Sequence, residues 1–178
     1  MQSVTNEEEL IKRVVESQKW SGFSRVTQIS TIKISPDIDF LRIDKDHNET
    51  VGYEFKLLRF RKDWNRVNLM PMYTGIGEAI QYFRFGVDKS YLMLGMSKET
   101  PTEALSDIYT SIHPLQIFDI EKKSSLGVCV WVEILNRFET PLSATRPYFM
   151  SKELEHLKEC LLRREFKYHR EFKFGSSQ

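Results

Sequence analysis

Ser35-Pro36-Asp37-Ile38-Asp39-Phe40-Leu41 and Gly52-Tyr53-Glu54-Phe55-Lys56-Leu57 read as the two arms of one β-hairpin. Each arm alternates apolar and polar residues with period two, and Asp44-Lys45-Asp46-His47-Asn48-Glu49 between them offers nothing to a core. Ile38 and Phe40 are expected on one face of the first arm, Asp37 and Asp39 on the other. On the second arm Tyr53, Phe55 and Leu57 share a face, and Glu54 and Lys56 take the opposite one. Matching the apolar faces allows only alternate registers, because a slip of one residue turns every side chain over. The register that closes most tightly over the turn sets Asp39 opposite Glu54 and Asp37 opposite Lys56.

Directly opposed Cβ atoms lie about 4.5 to 5.5 Å apart. Asp39 and Glu54 are then close enough to share one small cation, with Asp37 farther away on the diagonal. Like charges opposed in a sheet destabilise it, and a hard divalent ion removes the conflict. Mg²⁺ takes one or two carboxylates and fills the rest of its octahedron with waters and phosphate oxygens.

Pro36-Asp37-Ile38-Asp39 followed by Glu54-Phe55-Lys56 resembles the signature of the PD-(D/E)XK nucleases, the restriction-endonuclease-like superfamily. The resemblance implies an α/β fold with a core of α-β-β-β-α-β order, a central mixed sheet flanked by helices, here with extra C-terminal strands and a C-terminal helix. It implies hydrolysis of phosphodiester bonds, in DNA first and with RNA as the other polymer. Asp39, Glu54, the main-chain carbonyl of Phe55 and, in reserve, Asp37 would hold Mg²⁺, with Mn²⁺ able to substitute. Lys56 would orient the attacking water and stabilise developing negative charge. An acid on the first helix often joins such a site, a place open to Glu9 or Glu16. A polar residue on the helix after Glu-x-Lys often faces it: Glu78 stands where a Gln is common, and Gln81 lies one turn later. Nucleases of this kind often act as two-fold dimers, so a homodimer is compatible with the resemblance. A catalytically inactive nucleic-acid-binding module of the same fold stays open beside the enzyme.

The flanking sequence supplies the expected elements. Asn6 followed by Glu7-Glu8-Glu9 reads as an N-cap and an acidic first turn, leading into an amphipathic helix to about Trp20. A β-rich run from Val26 to Ser35 enters ahead of the hairpin. Ile76, Ala79, Ile80 and Phe83 form a helical stripe after Tyr73, and Val87 to Gly95 is apolar enough for a strand covered on both faces. Pro101 to about Ile112 reads as a helix ended by Pro114. Leu115 to Ile120 and Leu126 to Leu135 read as strands, with Glu133 an exposed strand position, and Thr140-Pro141 and Arg146-Pro147 mark a loop. Ser151 caps a last amphipathic helix, followed by a basic, aromatic extension that could reach DNA, support a dimer or remain solvated. A disordered tail is expected over 173–178.

The chain has 178 residues, which suits one domain spanning 1–178. Its 40% hydrophobic and 29% charged residues are those of an ordinary water-soluble protein, and no apolar run approaches the ~20 residues that cross a bilayer. Without a signal peptide at Met1, a cytoplasmic location is the expectation. Cys129 and Cys160 suit reduced, buried thiols, and His156 with Cys160 lacks the second pair a zinc site needs. A net charge of +1 argues against nonspecific coating of nucleic acid, so contact must come from local patches. One is Arg59, Arg61, Lys62 and Arg66 interleaved with Phe60 and Trp64, either a phosphate-tracking and base-stacking loop or a solvated one. Another is the group Arg163, Arg164, Lys167, Arg170 and Lys173.

Overall fold

The computed structural model describes residues 3–120, 125–145 and 151–174, with the backbone alone over 114–120. Asn6 begins the first helix, α1 (Glu7–Ser17), by accepting the Glu9 N–H on its side chain. Leu10, Ile11, Val14 and Val15 form its buried face. The helix stops at Ser17, three residues short of Trp20, and the chain passes into β1 (Gly22–Ile29).

The β-rich run after Val26 is two strands. At Ser30, whose φ is +50°, the chain reverses into β2 (Ile32–Asp44), and Ile29 pairs with Ile32 across a two-residue connection. β3 (Glu49–Leu58) completes the meander. A short hairpin follows, of β4 (Phe60–Arg61) and β5 (Arg66–Val67), where a loop was expected. Then α2 (Met70–Gln81) carries the chain over the sheet to β6 (Lys89–Met96), which lies parallel to β3. A helix-bridged crossover of this length is what parallel neighbours require.

The helix α3 (Leu105–Ile120) runs through Pro114, which neither ends it nor gives way to a strand at Leu115. Proline removes one helical hydrogen bond, but burial of Ala104, Ile108 and Ile112 against the sheet holds the helix in place before it. β7 (Gly127–Val132) is parallel to β6, and β8 (Arg137–Leu142) returns antiparallel. Thr140-Pro141 therefore lies in a strand at the sheet edge, where proline is tolerated. Arg146-Pro147 lies outside the described residues.

Glu133 is not an exposed strand residue. It sits buried in a turn past β7, and its Oε2 accepts the Val4 N–H at 3.1 Å and the Lys98 N–H at 3.0 Å. Two main-chain donors brought together at a strand end need an acceptor, and Glu133 is that acceptor.

After α4 (Lys152–Leu162), capped by Ser151, the basic extension is sheet rather than free chain. β9 (Phe166–Lys167) and β10 (Arg170–Phe172) both pair antiparallel with β1, with Phe172 turned to the core, and they cover what would be an open edge. Lys173 and Phe174 are ordered too: the Phe174 N–H donates to Ser21 Oγ at 3.0 Å. Gly175–Gln178 lie outside the described residues.

The sheet order is β10-β1-β2-β3-β6-β7-β8, with β9 also on β1. The architecture is thus α/β, a mixed eight-stranded sheet with helices packed on it. One face buries α1 against Tyr53, Phe55, Leu57, Met93 and Trp131. The other carries α2 and α3 on Leu92, Leu94, Val128 and Val130. α4 is tied in by a buried ion pair, Lys158 Nζ to Asp88 Oδ1 at 2.9 Å, while Asp88 Oδ2 accepts the Thr50 N–H at 2.9 Å. Among the described residues no helix is long and apolar enough to cross a membrane.

Candidate active site

Alternation along β3 sends Tyr53, Phe55 and Leu57 into the α1 core, which leaves Glu54 and Lys56 facing α2. The β2 to β3 register is the one the alternation gives: Asp44 pairs with Glu49 and Phe40 with Tyr53, so the next pair by count is Asp39 with Glu54. There the strands part. The Phe55 N–H donates to Asp39 Oδ2 at 2.9 Å, and the Asp39 N–H donates to the Tyr82 hydroxyl at 3.1 Å.

This departure corrects the expectation that Ile38 and Phe40 share a face. Ile38 packs with Val26, Leu41 and Tyr82, whereas Phe40 packs with Tyr53 and Phe55. Regular alternation stops because the Asp39 backbone bonds to a side chain in place of a neighbouring strand.

Lys56 is the centre of the charge arrangement. Its Nζ lies 2.5 Å from Glu54 Oε1, 2.7 Å from Glu78 Oε2 and 4.0 Å from Glu7 Oε1, with its side chain 12% exposed. α2 reaches Lys56 because Gly75 has no side chain. A Cβ there would stand 2.6 Å from Leu92 Cδ1 and 2.8 Å from Lys56 Cγ. Glu78 follows one turn later on the same stripe.

Tyr82, four residues beyond Glu78, is fully buried and closes the network. Its hydroxyl receives the Asp39 N–H, donates to the Asp37 carbonyl at 3.0 Å and makes a short contact with Glu54 Oε2. A phenol has one proton to give. The Asp37 carbonyl and Glu54 Oε2 share it as acceptors.

Burial, and then the charge of Asp39, push Glu54 up to about 8 against the pull of Lys56 and Tyr82. Burial pushes Asp39 up to about 6, although the Phe55 N–H and Lys56 oppose it. Burial, with the charges of Asp39 and Glu54, raises Tyr82 well above the usual phenol range. For Lys56, burial works against the charge, but bonds from Glu54 and Glu78 outweigh it and raise the ammonium's pKa. Burial likewise opposes ionisation of Glu78, and Lys56 overcomes it to hold that carboxyl below its ordinary value. Asp39 and Glu54 thus stay above their ordinary range even with the Lys56 ammonium beside them.

Among the described residues no group of three or more His, Cys, Asp and Glu is gathered to hold a metal on side chains alone. The donors on hand are Asp39, Glu54 and the Phe55 carbonyl. A strand residue turns its N–H and C=O to the same side, so the Phe55 carbonyl shares the edge where Asp39 takes the N–H. This incomplete oxygen set fits Mg²⁺, which keeps waters in its shell.

Other residues singled out in the sequence lie in varied places. Asp37 enters the network through its carbonyl rather than its carboxylate. Gln81 makes no hydrogen bond to this group. Glu9 accepts the Thr5 N–H at 3.1 Å and pairs with Arg13 at 3.7 Å, and Glu16 lines a separate cavity with Trp131. The α1 acid that approaches Lys56 is Glu7. Arg59 donates to the Thr5 carbonyl at 2.7 Å and shares a cleft of about 300 Å³ with Leu57 and Lys62. Arg61, Trp64 and Arg66 are exposed on the β4–β5 hairpin.

Sequence reading passed over Tyr82 and Glu7. Tyr82 had a signal in its i, i+4 spacing from Glu78, while Glu7 was absorbed in a run that helix capping already explains. Compared with models of known families, with characterised proteins and with solved structures, the chain matches none.

Proposed function

We propose that the protein is a divalent-metal-dependent nuclease of PD-(D/E)XK organisation, hydrolysing phosphodiester bonds in DNA. The observation that carries this reading is the convergence of Asp39, Glu54 and Lys56, from two adjacent strands, at one spot beneath α2. Succession of α1, β1, β2, β3, α2 and β6, interrupted by the separate β4–β5 hairpin and with β6 parallel to β3, supports it, since α-β-β-β-α-β is the order the resemblance implies.

In this reading Asp39, Glu54 and the Phe55 carbonyl hold Mg²⁺ or Mn²⁺. The ion, when bound, supplies Lewis-acid polarisation of a phosphate oxygen and a more acidic water. Asp39 is pinned by the Phe55 N–H, which leaves its other oxygen for the ion. Tyr82 fixes the Glu54 carboxyl, which would hold the ion as a carboxylate. Lys56, set between Glu54 and Glu78, would donate to the attacking water or to the charge that gathers on the phosphoryl oxygens. Glu78 keeps the ammonium in place and charged.

Pairing of Lys56 with both Glu54 and Glu78 favours a second reading, a nuclease-fold module that binds nucleic acid without cutting it. Labelled linear duplex, single-stranded, flapped and four-way-junction DNA, with RNA alongside, separates the two when incubated with Mg²⁺, Mn²⁺ or chelator. Cuts that need the metal support the enzyme. Binding with no cuts on any substrate supports the module.

A further inference from the structure

We infer that the β4–β5 hairpin is a stacking platform for single-stranded DNA, feeding an unpaired strand to the Asp39, Glu54 and Lys56 site; the inference rests on the nuclease reading and deepens it. The hairpin is two-faced. Phe60 pairs with Val67, and this apolar pair roots it, Val67 buried and Phe60 packed on the α2 and α3 core. The next pair is Arg61 with Arg66, directly opposed and therefore on the other face. Like charges so placed weaken a hairpin.

Trp64, in the turn, folds back over both of them. Its ring centroid lies 4.6 Å from Arg61 Cζ and 5.1 Å from Arg66 Cζ. Both guanidiniums thus lie over the indole, and Trp64 is still 54% exposed. Trp64 and Arg66 also line a cavity of about 250 Å³ with Met70 and Tyr73, two further exposed apolar side chains at the start of α2. On the other flank Arg59 and Lys62 share their cleft with Leu57, the residue after Lys56.

An open indole beside an exposed tyrosine offers stacking to any planar base, whatever its identity. Bases inside a duplex are already stacked and gain little from it. Charge selects the kind of partner: Arg61 and Arg66 lie against the indole and Arg59 and Lys62 line the neighbouring cleft, against Asp63 paired to Arg61 at 3.1 Å. Cations beside exposed aromatics suit a polyanion with exposed bases better than an apolar protein face. From Tyr73 to Glu78 is five residues, about 7.5 Å along the α2 axis and about 140° around it, so the platform stands within about two turns of the carboxylate that holds Lys56.

The test is tryptophan emission, followed while an oligothymidylate of roughly 15 nucleotides is added at low salt with chelator present. Trp131 is buried and Trp20 packs against Tyr53 at 4.7 Å, so Trp64 is the indole a base can reach. Oligothymidylate is expected to quench the emission. Trp64→Ala removes the quench and weakens binding about tenfold, duplex of equal length loses less than about twofold, and Trp64→Phe restores most of the affinity. Equal weakening of duplex and single strand by Trp64→Ala, or no quench at all, overturns the platform. Tighter binding of oligouridylate overturns the assignment to DNA. Glu54→Ala must keep the quench. If the quench persists while the wild-type protein cuts no substrate, the platform stands and the nuclease reading falls.

Discussion

Asp39 Oδ2 accepts the main-chain N–H of Phe55 at 2.9 Å, so the first acid of the site is anchored on the backbone between the two residues of the Glu-x-Lys pair. That single bond fixes the spacing of Asp39, Glu54 and Lys56 more firmly than strand pairing does, because the β2 to β3 ladder has ended one residue earlier.

The pH dependence of stability follows from Asp39 at about 6 and Glu54 at about 8, both above their ordinary 3.8 and 4.5. Between pH 4 and 8, in round terms, the folded protein holds more protons than the unfolded chain, so metal-free stability falls as pH rises through this window and levels off above it. A fall in Tm on the order of 5 °C is expected from pH 5 to pH 8.5 in chelator. Mn²⁺ should recover it at the upper end and do little at pH 5. In Glu54→Gln most of the slope and the Mn²⁺ shift should vanish together; a slope that persists there would assign the titration elsewhere.

Tyr82→Phe keeps the ring in the core and deletes the hydroxyl that receives the Asp39 N–H and meets Glu54. A buried donor left without its acceptor costs about 1–3 kcal/mol. Urea unfolding should show that loss, and Mn²⁺ affinity should drop by about 10- to 100-fold, as for other residues that orient a metal ligand. Unchanged affinity in a destabilised protein would make Tyr82 a packing residue alone.

Glu78 acts through Lys56, which it holds at 2.7 Å. Glu78→Gln is expected to lower kcat by about tenfold with KM for DNA little changed, and to shift the alkaline limb of the pH profile downward as the ammonium loses a partner. A change confined to KM would place Glu78 in substrate binding instead.

Lys158→Met removes the ammonium from the buried Asp88 carboxylate, which also accepts from Thr50. Breaking such a pair from one side costs about 3–5 kcal/mol. A loss under 1 kcal/mol in the same unfolding assay, in round terms, would mean that α4 is held by the apolar cluster that Cys160 and Leu161 join rather than by the ion pair.

The hairpin was legible because alternation over Tyr53 to Leu57 has one physical solution when one face is buried. α2 and β6 were legible as a helix and an apolar strand, but α2 buries Met72, Gly75 and Ala79 and leaves Ile80 exposed, so the stripe Ile76, Ala79, Ile80 and Phe83 is not its inner face. What escaped notice depends on contacts between distant segments. β9 and β10 are too short to show a pattern, and exist because β1 needs an edge partner. Pro114 is a strong local stop overridden by packing at Ile108 and Ile112. Glu133 reads as exposed until the Val4 and Lys98 N–H groups are brought to it. Within the site, Asp39, Glu54 and Lys56 could be read from the hairpin register and Glu78 from the resemblance, whereas Tyr82 could be told from an ordinary core aromatic only by the polar atoms around its hydroxyl.

The central claim, that Asp39, Glu54 and Lys56 form one metal-dependent hydrolytic centre, is tested most directly by cleavage rate on the best-cut substrate in Mg²⁺, wild type against Glu54→Gln and Lys56→Met. The account predicts a loss of at least about a thousandfold in each variant, with circular dichroism and DNA binding retained. Cleavage at the wild-type rate in either variant, or cutting by the wild type that survives chelator, would contradict it.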